Sequence, residues 1–262
     1  MNLEFKASSI KISKFVKKIM KNLFSPIIAL IILISSCGET SEINESKVLL
    51  NFNHHCDNIA LSDDLLSHTN EAGENYNVLT LKYIVTDIKL TSNNKDHEEI
   101  IIKDLHYIDI SDPSTMFIES EVIENGSYIL SFRFGLDSTD NVSNSLVNES
   151  FHPTMAWPDM MGGGYHYMKL EGSYLNDSTF YNTHTGPTMG MDHSFSVIFE
   201  NEIIINDDTE NLEYSLDMNI NNWYHNPHTI NLAPAIMMDM PKQMQLMSNG
   251  MTDVFTIQGL LD

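Results

Sequence analysis

The chain has almost no cysteine, with only Cys37 and Cys56 among its 262 residues. It also lacks the CxxC and HExxH motifs of common zinc sites. If Cys37 is used as a lipid attachment site, no disulfide framework is possible. Cys56 follows two histidines in "NFNHHCDN". Two interpretations of Cys56 therefore stay open, a buried core residue and a soft metal ligand.

Basic residues are also scarce. The chain has 14 Lys and Arg against 36 Asp and Glu, a formal net charge of −22. Residues 1–36 carry six lysines and one glutamate, so their removal takes the charge to −27. Such a field repels nucleic acid and anionic lipid surfaces, and we expect no nucleic-acid partner. It attracts cations, including metal ions, without selecting among them.

No apolar run is long enough to cross a bilayer. The run "LFSPIIALIILIS" has about a dozen residues, against the ~20 that a spanning helix needs. A lysine-rich stretch precedes it and "ISSC" follows, which predicts a bacterial lipoprotein signal over residues 1–36 with Cys37 lipidated. The acidic segment 37–47 is then a flexible tether before a domain over 48–262. We expect a lipid-anchored protein of the cell envelope, attached to the outer membrane on its periplasmic or cell-surface face.

Catalytic motifs are missing as well. The sequence has no G-x-S-x-G, no carboxylate pair at a recognisable spacing, and no Cys–His pair with a third group. This favours a binding protein over an enzyme. Two alternatives remain open, a copper-dependent redox enzyme and a non-metal surface adhesion or binding module.

What the sequence does have is a series of short alternating segments. Each places apolar side chains on one face, and clusters of Asn, Asp, Gly and Ser separate them. The clearest are "NVLTLKYIVTDIKL", "SYILSFRFGL", "HSFSVIFENEIII", "LEYSLDMNI" and "DVFTIQGL". They predict an all-β fold, an antiparallel β-sandwich.

Two segments break this rhythm. Residues 145–164 have no period and predict a long surface loop, a common place for function. Residues 235–250 place methionines three and four positions apart, with Pro241 early and Asn249-Gly250 at the end. They predict a short C-terminal helix that buries its methionine face on the sandwich.

Histidine and methionine supply the candidate chemistry. Six of the 11 histidines lie after residue 150, and 14 of the 16 methionines lie at or beyond Met116. Imidazole together with thioether selects copper, above all Cu(I). The predicted metal-site residues are His152, Met155, Trp157, His184, His193 and His54. We expect His166, which lies between two tyrosines of a predicted strand, to face solvent.

Five blocks occur in order along the chain: "LNFNHHCDNIAL", "LKYIVTDIKL", "ENGSYILSFRFGLDSTDN", "MAWPDMMGGGYHYMKLEG" and "FYNTHTG". Together they resemble the MbnP-like copper-binding family, which is related to the MopE and CorA copper-binding proteins of methane oxidisers. The resemblance implies a β-rich exported domain that binds copper. In some members a dihaem peroxidase of the MbnH type oxidises one tryptophan to kynurenine, which holds Cu(I) together with histidines.

The resemblance assigns roles to particular residues. Trp157 matches the family's tryptophan, His152 a histidine shortly before it, and His184 the histidine of "HxG"; His54 or His55 corresponds by analogy only. The chain departs from the family pattern where "PDMMGGG" follows the tryptophan and brings Met160 and Met161 near the expected site. Whether the site uses a kynurenine or His and Met ligands stays open.

Overall fold

The computed structural model describes residues 46–61, 67–93, 99–206, 211–234 and 236–259. All of them belong to one compact unit. The predicted signal segment and Cys37 lie outside the described residues, as does most of the predicted tether. None of the helices in the described ranges is both long and apolar enough to cross a membrane.

Thirteen strands occur in the described ranges. They are β1 (Lys47–Cys56), β2 (Ile59–Ala60), β3 (His68–Thr69), β4 (Asn75–Tyr76), β5 (Thr80–Ser92), β6 (Ile100–Asp109), β7 (Phe117–Glu119), β8 (Gly126–Phe134), β9 (Met168–Tyr174), β10 (Asn176–Thr185), β11 (Phe195–Ile205), β12 (Asn211–Asn219) and β13 (Phe255–Gly259). The helices are α1 (His152–Met155) and α2 (Met240–Gly250), with 3-10 turns at Pro113–Thr115, Asp159–Met161 and Ile220–Tyr224.

The strands form two sheets. One has the order β13-β12-β1-β2, with β7 also paired to β1. The other has the order β11-β8-β5-β9-β4-β3, with β6 on β5 and β10 on β9. Neighbours are antiparallel except β1 and β12, which run parallel. The sandwich prediction is therefore confirmed, with one parallel pair that the alternation pattern does not reveal.

Apolar side chains of the two sheets meet in one core. In β8, Tyr128, Leu130, Phe132 and Phe134 are all buried, as their alternation predicts. The Phe134 ring lies 5.6 Å from that of Phe255, on β13 of the other sheet. Aromatic contacts of this kind join the two sheets across the core.

Helix α2 forms where the sequence predicts it, but it buries a different face. Asp239 caps its N-terminus by accepting the Lys242 N–H, and Pro241 lies in the first turn. The buried residues are Gln243, Leu246, Asn249 and Gly250, whereas Met244 is 48% exposed and Met251 59% exposed. Met247 is partly buried against the core, so the expected methionine face is buried only in part. Gly250 accounts for the close packing, since a Cβ there would lie 2.3 Å from the Phe195 ring.

The long loop between β8 and β9 leaves the sheet and returns to it at a single residue of β5. Gly135 N–H donates to the Ile84 carbonyl, and Ile84 N–H donates to the Tyr167 carbonyl, each at 2.9 Å. Residues 80–83 of β5 pair with β9, and residues from 85 onward pair with β8. Residues 135–167 therefore emerge where β8 and β9 part. This excursion carries the side chains of the candidate site.

Candidate metal centre

The excursion folds back on itself through three glycines. Gly162, Gly163 and Gly164 all have positive φ, a conformation that glycine adopts without the steric cost of a Cβ. After this reversal, Trp157 N–H donates to the Gly164 carbonyl at 2.8 Å, and His166 N–H donates to the Met155 carbonyl at 2.7 Å. The chain before the glycines thus covers the chain after them.

His166 is buried by this cover. It is only 5% exposed, so the expectation that it faces solvent is wrong. Its Nδ1 lies 3.1 Å from the Met155 carbonyl oxygen. Because a carbonyl only accepts, Nδ1 carries the proton and the neutral ring keeps its lone pair on Nε2. Burial, helped by the nearby His184, lowers the pKa of His166 to about 3, so the ring is neutral at physiological pH.

His184 belongs to β10 and is held by a carboxylate. Its Nε2 lies 2.6 Å from Oε1 of Glu171 on β9, so Nε2 donates to the carboxylate and Nδ1 is the nitrogen left for another partner. The hydrogen bond from His184 is the main cause that lowers the pKa of Glu171. The backbone carbonyl of His184 also accepts from the Gln243 side chain of α2 at 2.7 Å. Hydrogen bonds therefore hold both the ring and the backbone carbonyl of His184.

The two imidazoles meet beside one indole. The ring centroids of His166 and His184 lie 5.1 Å apart, with the planes at 82°. The ring of Trp157 lies 4.7 Å from that of His166 at 69°. Trp157 is 2% exposed, and its Nε1–H points to the Met161 carbonyl at 3.4 Å. Gly186 lies against the indole, where a Cβ would be 2.6 Å from Cε3.

Comparison with known proteins assigns the fold and the family. The family model MbnP matches residues 45–239 of this chain. The chain belongs to the MbnP family. The solved structure of MbnP from Methylosinus trichosporium aligns with a TM-score of 0.53 and 12% identity, covering 82% of this chain and 99% of that one. At this identity the likeness shows the fold alone. No curated protein sequence gives a match.

The range that matches the MbnP family includes Trp157, His166, Glu171 and His184. It ends just before α2, which supplies the contact from Gln243 to His184. The Trp157, His166 and His184 rings are thus inside the matched range. Gln243, which holds the backbone of His184, lies beyond it.

His152 and Met155, two of the sequence-predicted residues, lie next to this cluster. His152 Nδ1 is 3.0 Å from the Tyr165 hydroxyl. The His152 ring lines a cavity of about 260 Å³ together with Trp157 and Asp159. Met155 is fully buried, and its backbone carbonyl holds His166. The structure therefore pairs His184 with His166, while His152 faces the cavity beside Trp157.

His193 and His54, the other two predicted residues, have different surroundings. His193 is 3% exposed, and burial lowers its pKa; its Nε2 has no hydrogen-bond partner among the described residues. His54 lies on β1 in the other sheet, with Nε2 3.0 Å from the Tyr83 hydroxyl. Burial, followed by the neighbouring His55, lowers the pKa of His54 to about 3. Within the described ranges, neither ring stacks on or hydrogen-bonds to the side chains of Trp157, His166 or His184.

Sequence reasoning missed His166 and Glu171. The signal for His166 was the triple glycine, which reverses the chain and buries the residue that follows. Glu171 is diagonal to His184 in the β9–β10 pairing, where His184 lies opposite Lys169. Diagonal neighbours on one face of a sheet are close enough for such a contact. Over the described ranges, no group of three or more His, Cys, Asp or Glu is placed to hold a metal ion.

Proposed function

We propose that this member of the MbnP family binds copper as Cu(I), and that His166 and His184 hold the ion beside Trp157. The observation that supports this most directly is the contact at 5.1 Å between the buried His166 ring and the His184 ring, whose side chain is 13% exposed. With metal–nitrogen bonds of about 2 Å, two rings at this separation could share an ion in a bent N–Cu–N arrangement. The protein would capture, store or hand on the ion.

The donor set favours a soft ion of low coordination number. Calcium and magnesium prefer six or more oxygen ligands, and structural zinc prefers four ligands. The site brings together two imidazole nitrogen donors and an indole, with methionines near by. Cu(I) accepts two imidazoles in a near-linear or bent arrangement, and its affinity for nitrogen and sulfur fits this set.

Each residue has a separate role in this proposal. His166 would bind through Nε2, because its Nδ1–H is held by the Met155 carbonyl. His184 would bind through Nδ1, because its Nε2–H is held by Glu171. A carboxylate in this position fixes the tautomer of a ligand histidine and raises its basicity. Trp157 covers the pocket and excludes water, and its ring face can interact with a cation.

The family resemblance also suggests a partner and a modification. A dihaem peroxidase of the MbnH type would act on Trp157, and the product would be a kynurenine beside the two imidazoles. Intact mass spectrometry of native material tests this, since unmodified Trp157 would oppose it. We propose a binding function without catalytic turnover, because the rings that would hold copper are enclosed on all but a small fraction of their surface.

The proposed location is the cell envelope. The lipoprotein pattern that ends at Cys37 supports attachment through lipid, with the acidic domain held outside the membrane. Fatty-acid labelling that persists in Cys37→Ser would oppose this assignment.

Metal retention by the unmodified chain tests the copper proposal. After anaerobic loading with Cu(I) and desalting, we expect one copper per chain, with X-ray absorption showing nitrogen scatterers at about 2 Å. Zn(II) loaded and desalted in parallel is the control and should be lost, because the pocket offers too few ligands. Copper well below one per chain, or zinc retained equally well, would contradict the proposal.

Replacing Glu171 tests the support of His184. Glu171→Gln keeps an oxygen that can accept the Nε2–H but removes the negative charge. We expect Cu(I) affinity to fall by about 10- to 100-fold, as is typical when the carboxylate behind a ligand histidine is removed. Competition with a Cu(I) chelator measures this. Glu99→Gln changes the net charge equally at the Lys89 ion pair and is the control; equal affinities in both variants would refute the role of Glu171.

A further inference from the structure

Two loops outside the pocket touch through their backbones. One is the 3-10 turn Asp159–Met161 with Gly162, and the other is the bend over residues 186–191. Met189 N–H donates to the Met161 carbonyl at 3.3 Å. A Cβ on Gly162 would lie 3.5 Å from the backbone nitrogen of Gly190. The two loops therefore form one continuous surface.

This surface rests on Trp157. The Met161 carbonyl that accepts from Met189 also lies 3.4 Å from the indole Nε1–H. Gly186, at the start of the second loop, lies against the other part of the same indole. Movement of either loop would therefore disturb the residue that covers the imidazole pair.

The large apolar side chains that these two loops expose are all methionine. Met160 is 90% exposed, Met189 is 72% exposed and Met191 is 44% exposed. Methionine makes up 16 of 262 residues in this chain, whereas apolar residues as a class make up 42%. Six methionines of the described residues are more than 40% exposed, and three of them lie on these two loops. Met189 also has φ +55, a conformation that favours glycine or asparagine.

We propose that Met160, Met189 and Met191 form an acquisition site that first takes a soft monovalent metal ion from its donor and passes it to His166 and His184. This inference deepens the proposed function and rests on it. Thioether sulfur is a neutral, soft ligand that selects Cu(I) over hard ions. The strongly acidic chain draws cations toward the surface, and the thioethers select among them. The transfer is an exchange of ligands, so the ion keeps its oxidation state.

Silver titration of the methionine methyl groups tests the site itself. Ag(I) is a soft monovalent ion that resists redox change. In the full chain with His166→Asn and His184→Gln, labelled at the methionine methyls, we expect Ag(I) to shift the Met160, Met189 and Met191 signals. The exposed Met238 and Met251 are internal controls and should not shift. If all exposed methionines shift alike, or if the three do not shift, the acquisition site is refuted.

Loading kinetics test the transfer. Met160→Leu/Met189→Leu/Met191→Leu keeps the size of the side chains but removes the sulfur. With His166 and His184 intact, we expect the rate of Cu(I) uptake from a weak chelator to fall by roughly tenfold. The final copper content should stay at one per chain, and Met238→Leu/Met251→Leu should load at the normal rate. An unchanged rate in the triple variant refutes the transfer, whereas absence of bound copper in the unmodified chain refutes the imidazole site instead.

Discussion

His166→Asn and His184→Gln should each abolish copper retention while leaving the fold intact. The asparagine amide nitrogen can replace His166 Nδ1–H as the donor to the Met155 carbonyl, but it has no atom in place of Nε2. The glutamine amide nitrogen can likewise replace His184 Nε2–H as the donor to Glu171, without a substitute for Nδ1. Each variant therefore removes one lone pair and keeps one hydrogen bond.

Affinity in these variants should fall by several orders of magnitude, because a single imidazole remains to hold the ion. Copper content after desalting and chelator competition measure the loss, and circular dichroism checks the fold. His152→Ala and His54→Ala are the matched controls, since each removes an imidazole outside the proposed pair. Copper lost in His152→Ala and kept in His166→Asn would restore the pairing of His152 with His184 that the sequence predicts.

The pairing of His184 with His166 shows where sequence reasoning reaches its limit. Alternation places His166 opposite Tyr165 and Tyr167, and this says which way each side chain points. It does not say what lies over that face. Both tyrosines and the histidine are buried, because the excursion reverses through its three glycines and covers the outward side. Burial on both faces depends on tertiary folding that a period of two cannot encode.

Strand positions were predictable for the opposite reason. In β8 one face packs on the core, so the apolar side chains repeat at every second residue and the pattern reports the burial directly. The methionine spacing in α2 shows that the methionines share a face of the helix. It does not show whether that face is the one that packs on the core. Asn249 is fully buried on the packed face, with its amide donating to the Trp223 and His228 carbonyls. Satisfied polar groups can thus occupy a buried face and leave methionines exposed.

The family resemblance identifies some residues of the candidate site, and the structure identifies others. The resemblance selects Trp157 and His184 from blocks of sequence. The geometry adds His166, which is nine residues beyond Trp157 in the chain and in contact with it across the glycine reversal. The methionine-bearing segment "PDMMGGG" therefore runs between the indole and the imidazole without separating them.

Gly186→Ala should damage the pocket more than any other single methyl group added to this loop. The φ of Gly186 lies outside the left-handed region, so alanine is compatible with the backbone and only the new Cβ matters. That atom would lie 2.6 Å from Cε3 and Cζ3 of Trp157, a rigid ring that is 2% exposed. Since the indole cannot yield locally, we expect a loss of about 3 kcal/mol in the free energy of unfolding, at the upper end for overpacking. The displaced indole should also weaken Cu(I) binding, because it covers His166.

Gly190→Ala is the control in the same loop. Gly190 has φ +81, and a Cβ there would have nothing within 4 Å. Its cost is the left-handed conformation alone, about 1 kcal/mol. Urea unfolding followed by circular dichroism compares the two variants, and fluorescence in a Trp223→Phe background reports Trp157 as the sole remaining tryptophan. If Gly186→Ala is as stable as Gly190→Ala and Trp157 emission is unchanged, the loop does not hold the indole over the imidazole pair. The proposed copper site would then need a different cover.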